Sequence, residues 1–198
     1  MALDLPDLDP DPLRQFQSWY ADWCKVCPRD PEAMFLATCS PEGQPSVRTV
    51  LLRGLDERGF CFYTNYEGRK GRELSRNPLA CLLFYWLEPG RQVRVDGPVE
   101  RMDEAESDDY FAGRPRLSQL GAWASHQSQP LESRHQLLDR LHELERRYPE
   151  VVPRPPHWGG YRLRPNSWEF WQAGEFRLHD RFLYQAREGG WSILRLNP

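Results

Sequence analysis

Residues 34–64 read Met-Phe-Leu-Ala-Thr-Cys-Ser-Pro-Glu-Gly-Gln-Pro-Ser-Val-Arg-Thr-Val-Leu-Leu-Arg-Gly-Leu-Asp-Glu-Arg-Gly-Phe-Cys-Phe-Tyr-Thr. Three apolar, β-branched or aromatic runs, at 34–39, 46–55 and 60–64, are separated by Pro41-Glu42-Gly43-Gln44 and Asp56-Glu57-Arg58-Gly59. Both separators are turn chemistry, so the stretch predicts a meander of antiparallel hairpins.

Working outward, Asp11-Pro12 predicts a helix start, with a capping carboxylate and a proline at the first helical position. Leu13, Phe16, Trp19, Tyr20 and Trp23 follow at helical spacing, and Pro28 is expected to close the segment. A helix is expected over 67–76, stopped by Asn77-Pro78. Strands at 79–87 and 91–102 flank the turn Glu88-Pro89-Gly90. A helix over 103–112 is expected to open on Asp103 as its cap, followed by a polar, irregular stretch over 114–130. A charged helix over 132–148 would turn Leu137, Leu138, Leu141 and Leu144 inward. Pro153, Pro155 and Pro156 form a stiff connector, and strands follow at 160–164, 167–172, 182–185 and 191–196. Strands dominate and the helices do not alternate with them. The expected class is mainly β with peripheral helices, an antiparallel barrel rather than a doubly wound parallel sheet. One domain is expected over 1–198, with 1–11 as a flexible N-terminal arm.

The 198 residues are 39% hydrophobic and 28% charged, which excludes a disordered or fibrous class. No apolar run reaches membrane-spanning length, and no basic leader precedes an apolar stretch, so a cytoplasmic location without a membrane partner is expected. A net charge of −3 disfavours nucleic acid as a bulk electrostatic partner. Only Lys25 and Lys70 among the 26 basic residues are lysines. Genome composition accounts for most of that bias, and some arginines would grip phosphates or carboxylates by paired hydrogen bonds. The five cysteines, an odd number, do not form a secreted disulfide framework. Cys24 and Cys27 make a CxxC inside a helical pattern with no second Cys/His pair at ligand spacing, so no metal site is expected. Cys39, Cys61 and Cys81 fall in strand-like runs and read as small core residues.

Four segments carry candidate chemistry. Arg48 and Arg53 lie five apart in one run and would point to opposite faces of a regular strand, unless a bulge brings both to one site; two solvated arginines is the plainer reading. The run from Tyr63 and Thr64 to Arg69 and Lys70 is a strand entering a helix, whose free N–H groups with two cations suit an anion; a solvated helix end is the equal alternative. Tyr110, Arg114 and Ser118 recur every fourth residue and could converge on one phosphate, with Gln127 and Ser128 further along; the bland reading is a capped loop. In the fourth, Phe170 reads as core, and Arg177, His179 and Arg181 alternate, which in extended chain puts three cations on one side.

In these motifs the chain resembles the pyridoxamine 5'-phosphate oxidase family. The matching stretches, in order, are Arg48-Thr-Val-Leu-Leu-Arg53, Phe62-Tyr-Thr-Asn65, Gly68-Arg-Lys70, Arg91-Gln-Val93, Tyr110 with Arg114-Pro-Arg-Leu-Ser-Gln-Leu-Gly121, Gln127-Ser128, Trp158-Gly-Gly160, Glu169-Phe-Trp-Gln172 and Arg177-Leu-His-Asp-Arg181. They span about residues 11–198. The resemblance implies an FMN-binding split β-barrel and a homodimer with FMN at the subunit interface. It implies oxidation of pyridoxamine or pyridoxine 5'-phosphate to pyridoxal 5'-phosphate, with dioxygen reduced to hydrogen peroxide. It carries cofactor roles onto Arg48, Arg53, Tyr63, Thr64, Arg69, Lys70, Gln92, Gln127, Ser128, Trp171 and Arg181. Substrate roles fall on Arg53, Tyr110, Arg114, Ser118, Arg177 and His179, of which Arg177 and His179 lie near the reacting carbon. The chain departs from the family pattern at Arg53, where lysine is typical, at Gly68, where serine is common, and at Ala173, where glycine is common. Two other readings of the resemblance are a related FMN oxidase of another aromatic metabolite, such as a phenazine precursor, and a non-catalytic split-barrel binder of flavin or haem.

Overall fold

The computed structural model describes residues 3–27 and 29–198. Helix α1 (Pro12–Val26) starts as expected: the Asp11 carboxylate accepts from the Leu13 N–H and Pro12 fills the first position. Its end falls just before Pro28, which lies outside the described residues. The strands are β1 (Ala33–Cys39), β2 (Pro45–Leu51), β3 (Gly54–Asp56), β4 (Gly59–Asn65), β5 (Leu79–Trp86), β6 (Arg91–Arg101), β7 (Trp158–Leu163), β8 (Ser167–Gln172), β9 (Asp180–Arg187) and β10 (Gly190–Arg195). The other helices are α2 (Arg69–Arg76), α3 (Glu104–Ala112), α4 (Arg116–Ala124) and α5 (Arg134–Arg147).

All recorded strand pairs are antiparallel, in the order β10-β9-β8-β6-β5-β1-β2. The long β6 is the branch point. Its first half pairs with β8 and its last residues, Val99 to Arg101, pair with β7, which continues to β4 and β3. This fork is what splits the barrel, and the expected mainly β class with peripheral helices holds.

Strand alternation then sorts the two faces. One rung of direct partners, Leu36–Leu82–Val95–Trp168–Tyr184, is buried across five strands. Phe16 of α1 closes this core with its ring against those of Phe60, Phe84, Trp86 and Trp168, a burial that contributes roughly 1.5–3 kcal/mol. Phe170 is core, as read from sequence. The opposite face keeps Phe35, Val47, Leu79, Tyr85 and Leu194 exposed.

Several local expectations are corrected. The run 46–55 is two strands, because at Leu52 and Arg53 the chain leaves β1: the Leu52 N–H donates to Glu32 O and the Arg53 N–H to Cys61 O. The stretch expected to be irregular contains α4, fixed where Gln119 donates to Phe111 O and Ala112 O. Asp103 holds the cap position of α3 without a side-chain cap bond. Only Leu141 and Leu144 of the α5 leucines pack on the second core of Phe111, Leu120, Val152 and Trp158, while Leu138 is exposed. Cys61 alone of the three strand cysteines is buried, and all five are free thiols. Residues 3–11 lie against β9 and β10: Leu3 and Leu8 join the core, the Leu3 N–H donates to Asp180, and Arg195 pairs with Asp4.

Candidate active site

The first cluster is the corner where β4 enters α2. Asn65 turns the chain by accepting the Glu67 N–H, and Gly68 caps the helix. Lys70 Nζ donates to Thr64 Oγ1 at 3.0 Å and Gln127 Oε1 at 2.8 Å. No carboxylate pairs with Lys70 among the described residues. Burial, aided by the charge of Arg48, lowers its pKa from 10.5 to about 8. A half-buried ammonium without a carboxylate partner among the described residues, beside a helix N-terminus, is an anion-seeking arrangement. A Cβ on Gly68 would come within 2.5 Å of Gln127 Oε1, so Gln127 sits directly over the cap.

Arg48 faces inward and not toward solvent. Its guanidinium reaches Leu36 O, Thr38, Ser46 and Glu73. Glu73 also accepts from Thr38, from Ser46 at 2.6 Å and from Arg69 at 2.9 Å. Burial alone would raise the Glu73 pKa, but the hydrogen bonds from Ser46, Thr38 and Arg69 and the Arg48 charge bring it down to about 2. The corner thus holds three cations against one carboxylate, the balance a phosphate dianion needs.

The second cluster lies where α3 meets β7. Tyr63 and Tyr110 stack with centroids 3.7 Å apart and planes 7° apart, and Trp158 lies near-parallel beside both, 5.5 Å from Tyr63 and 6.2 Å from Tyr110. The Arg114 guanidinium lies 4.5 Å from the Trp158 ring centroid, and its Nη1 is buried without a hydrogen-bond partner. Burial lowers the Arg114 pKa; Tyr110 opposes that shift and the positive field of Arg53 adds to it. Arg53 itself pairs with Glu32 at 3.2 Å. Ser118 is exposed on the first turn of α4, and no hydrogen bond joins it to Arg114 among the described residues.

The third cluster is on the uncovered sheet face. Gln92, Trp171 and Arg181 are direct cross-strand partners, extended by the exposed Tyr85. Arg181 pairs with the buried Glu169, at 2.8 Å, and donates to Asn197 O. The His179 ring lies 4.6 Å from that of Trp171, and its Nδ1 accepts the Gly174 N–H at 3.1 Å. The neutral ring therefore carries its proton on Nε2. The expected one-sided cation triplet is not formed. Residues 175–177 make a 3-10 turn with positive φ at Phe176 and Arg177, and extended chain begins only at Asp180. Arg177 is left exposed beside the exposed Phe176 and Leu178.

The structure thus gathers Arg48, Thr64, Arg69, Lys70 and Gln127 in one place, and Tyr63, Tyr110 and Arg114 in a second with Arg53 in electrostatic range. Gln92, Trp171, His179 and Arg181 form a third. Ser128 has positive φ in the turn after Gln127. No hydrogen bond, ion pair or ring contact joins the third set to the others among the described residues. Sequence reasoning did not assign Glu73, Trp158 or Glu169 to the site. The spacing of Glu73 from Arg69, one helical turn, was the available signal for the first; the other two stood inside quoted motifs.

The forked antiparallel sheet with an anion-seeking strand–helix corner is a split β-barrel. A family model described as pyridoxamine 5'-phosphate oxidase matches residues 22–148, and one described as the pyridoxine 5'-phosphate oxidase C-terminal dimerisation region matches 158–198. The chain belongs to the pyridoxamine 5'-phosphate oxidase family. The pyridoxine/pyridoxamine 5'-phosphate oxidase of Rubrobacter xylanophilus is 62% identical over 96% of this chain and 88% of its own length. That of Paraburkholderia xenovorans is 53% identical over 100% and 93%. Among solved structures, PhzG from Burkholderia lata in complex with tetrahydrophenazine-1-carboxylic acid superposes with a TM-score of 0.92. It is 35% identical, over 100% of this chain and 98% of that one. A pyridoxamine 5'-phosphate oxidase-related FMN-binding protein from Nostoc punctiforme, 19% identical over 94% and 97%, shares the fold with a TM-score of 0.74. No described helix is long and apolar enough to cross a membrane.

Proposed function

We propose that this protein oxidises pyridoxamine and pyridoxine 5'-phosphate to pyridoxal 5'-phosphate, using FMN and dioxygen. The observation that carries the reading is the pair of separate anion-seeking clusters, in which, among the described residues, Lys70 has no carboxylate and Arg114 Nη1 no partner. Two phosphoesters, one per ligand, answer both. The relatives named for this activity support the same substrate.

The first cluster holds the FMN phosphate through Lys70, Arg69, Arg48, Thr64, Gln127 and Ser128, with Tyr63 and Arg53 at its border. Gln92, Trp171 and Arg181 take the flavin from the uncovered sheet face. Those groups lie in a set apart from the first within one chain, and the matched dimerisation region covers Trp171 and Arg181. We therefore read the working form as a homodimer whose interface joins the first set of one protomer to the third set of its partner. The exposed Phe35, Val47 and Tyr85 on that face supply the apolar area such an interface buries. Bound FMN supplies the acceptor for hydride from C4' and passes the electrons on to dioxygen, giving hydrogen peroxide.

The chain's own work is positional. Arg114, Tyr110, Arg53 and Ser118 fix the substrate phosphate and so set the distance of C4' from the flavin. Arg177 orients the substrate, and the Nε2 proton of His179 serves its polar ring edge. The amine substrate yields an imine that water hydrolyses to aldehyde and ammonia; the alcohol yields the aldehyde directly. The five free thiols suit a cytoplasmic location.

The test is to add pyridoxamine 5'-phosphate to purified holoprotein. Bleaching of the flavin without air, and aldehyde with peroxide in equal amounts under air, are expected. The likeness to PhzG favours one second reading, oxidation of another aromatic metabolite. Bleaching by a reduced phenazine carboxylate but not by the vitamer phosphate would select it and refute ours. A flavin that neither substrate reduces would mark a non-catalytic binder.

A further inference from the structure

Helix α3 buries only Ser107 and Phe111. Such a short helix with little apolar burial needs other contacts to fix its place. Three consecutive side chains supply them, all toward β7 or the connector before it. Glu106 Oε1 accepts from Arg162 Nη2 at 3.1 Å, Ser107 Oγ accepts the Gly160 N–H at 3.1 Å, and Asp108 accepts from Arg154 at 2.5 Å. The first contact differs in kind. Arg162 lies on β7 with its side chain only 7% exposed, and Glu106 also pairs with Arg58 at 3.1 Å. Arg58 is itself held by Asp56 at the hairpin between β3 and β4. One carboxylate on α3 thus ties together the β3–β4 turn and β7.

Just past that anchor the same helix carries Tyr110, stacked at 3.7 Å on Tyr63, and leads to Arg114 over Trp158. Trp158 is on β7, four residues from Arg162, so the anchor and the clamp share α3 and β7, with Tyr63 of β4 completing the clamp. Close approach is already at its limit there: a Cβ on Gly160 would meet Met102 Sδ at 2.6 Å and Tyr63 Cε1 at 2.9 Å. A slide of α3 along β7 would therefore shift Tyr110 off Tyr63 and Arg114 off Trp158 together.

We propose that the ion pair between Glu106 and the buried Arg162, braced by Arg58, is the positioning element that sets α3 on β7 and so holds Tyr110 and Arg114 at the spacing that receives the substrate phosphate. Neither Glu106 nor Arg162 touches that phosphate. The inference rests on the functional reading above for the identity of the ligand.

The test uses holoprotein with Glu106→Ala and, as the variant that keeps shape and an acceptor oxygen, Glu106→Gln. Flavin content, melting temperature, kcat and KM for pyridoxamine 5'-phosphate, and orthophosphate binding by calorimetry are measured together. For Glu106→Ala, KM and the orthophosphate dissociation constant are expected to rise by about tenfold, kcat to fall as C4' loses its set distance from the flavin, and flavin content to stay unchanged. Glu106→Gln is expected to fall between the alanine variant and the parent. An unchanged KM, or a kcat and flavin content that fall in step with melting temperature while KM holds, overturns the proposal. A parent protein that binds orthophosphate but does not turn over the vitamer refutes the functional reading instead. The calorimetric comparison of parent and variants still decides the positioning role in that case.

Discussion

Raising the pH should loosen FMN through one side chain, Lys70. In the free protein its pKa stands near 8, where an exposed lysine has 10.5, because burial and the neighbouring Arg48 disfavour the charged form. A phosphate dianion against Nζ reverses that field and keeps the ammonium charged in the complex. Above pH 8 the complex then binds one more proton than the free protein, so affinity must fall as pH rises. The limiting slope is tenfold per pH unit, so at pH 10 the loss approaches ~100-fold, or about 2.7 kcal/mol from two units at 1.36 kcal/mol each. Below pH 8 the curve should be flat down to the second phosphate ionisation near ~6. The assay is titration of apoprotein with FMN, followed by quenching of flavin fluorescence at pH 7, 8, 9 and 10. Riboflavin serves as the ligand without a phosphate, and Lys70→Met as the protein without the ammonium. The reasoning fails if FMN affinity is level from pH 7 to 10, or if riboflavin or Lys70→Met shows the same slope.

Three further outcomes follow from the same geometry. Glu73→Gln should destabilise apoprotein at neutral pH by at most ~3 kcal/mol, since the carboxyl sits at about 2 rather than 4.5. That contribution is complete above the ordinary value and is lost as pH falls through about 2, so denaturant midpoints of parent and variant should converge in acid. Arg114→Met removes a half-buried guanidinium whose buried Nη1 has no hydrogen-bond partner. It should raise apoprotein stability by roughly 1 kcal/mol in urea melts while raising KM for the phosphorylated substrate at least about tenfold. Gly174→Ala places a methyl 2.0 Å from Leu178 O, which is backbone and cannot step aside. The turn carrying Arg177 and His179 should open, and stopped-flow flavin reduction should slow by about 100-fold with FMN content retained.

Much of the architecture is local and was therefore legible in the chain. The Asp11-Pro12 start of α1 needs only its own next residues. The turns at 41–44 and 56–59 and the strand 167–172 rest on residue types and alternation, and they stand where the sequence put them. Where the pattern failed, a distant partner had overridden it. The apolar run 46–55 has no proline or turn cluster inside it, only Gly54, yet the chain leaves its neighbour already at Leu52 because Glu32 and Cys61 offer carbonyls there. Helix α4 lacks a strong apolar period and is held by Gln119 and by Arg116, which reaches the carbonyls of Tyr148 and Glu150.

The sequence by itself determined which residue types could meet phosphate and in what order they occur, because motifs are properties of neighbouring residues. Only the tertiary structure decided which cations are already spoken for. Arg48 and Arg69 share Glu73, and Arg181 belongs to Glu169, whereas Lys70 and Arg114 have no carboxylate of their own among the described residues. Charge pairing acts through space over a few ångströms and is blind to chain separation. Twenty-five residues divide Arg48 from Glu73 and twelve divide Glu169 from Arg181, and no reading of spacing selects those pairs until α2 docks on the sheet and β8 pairs with β9.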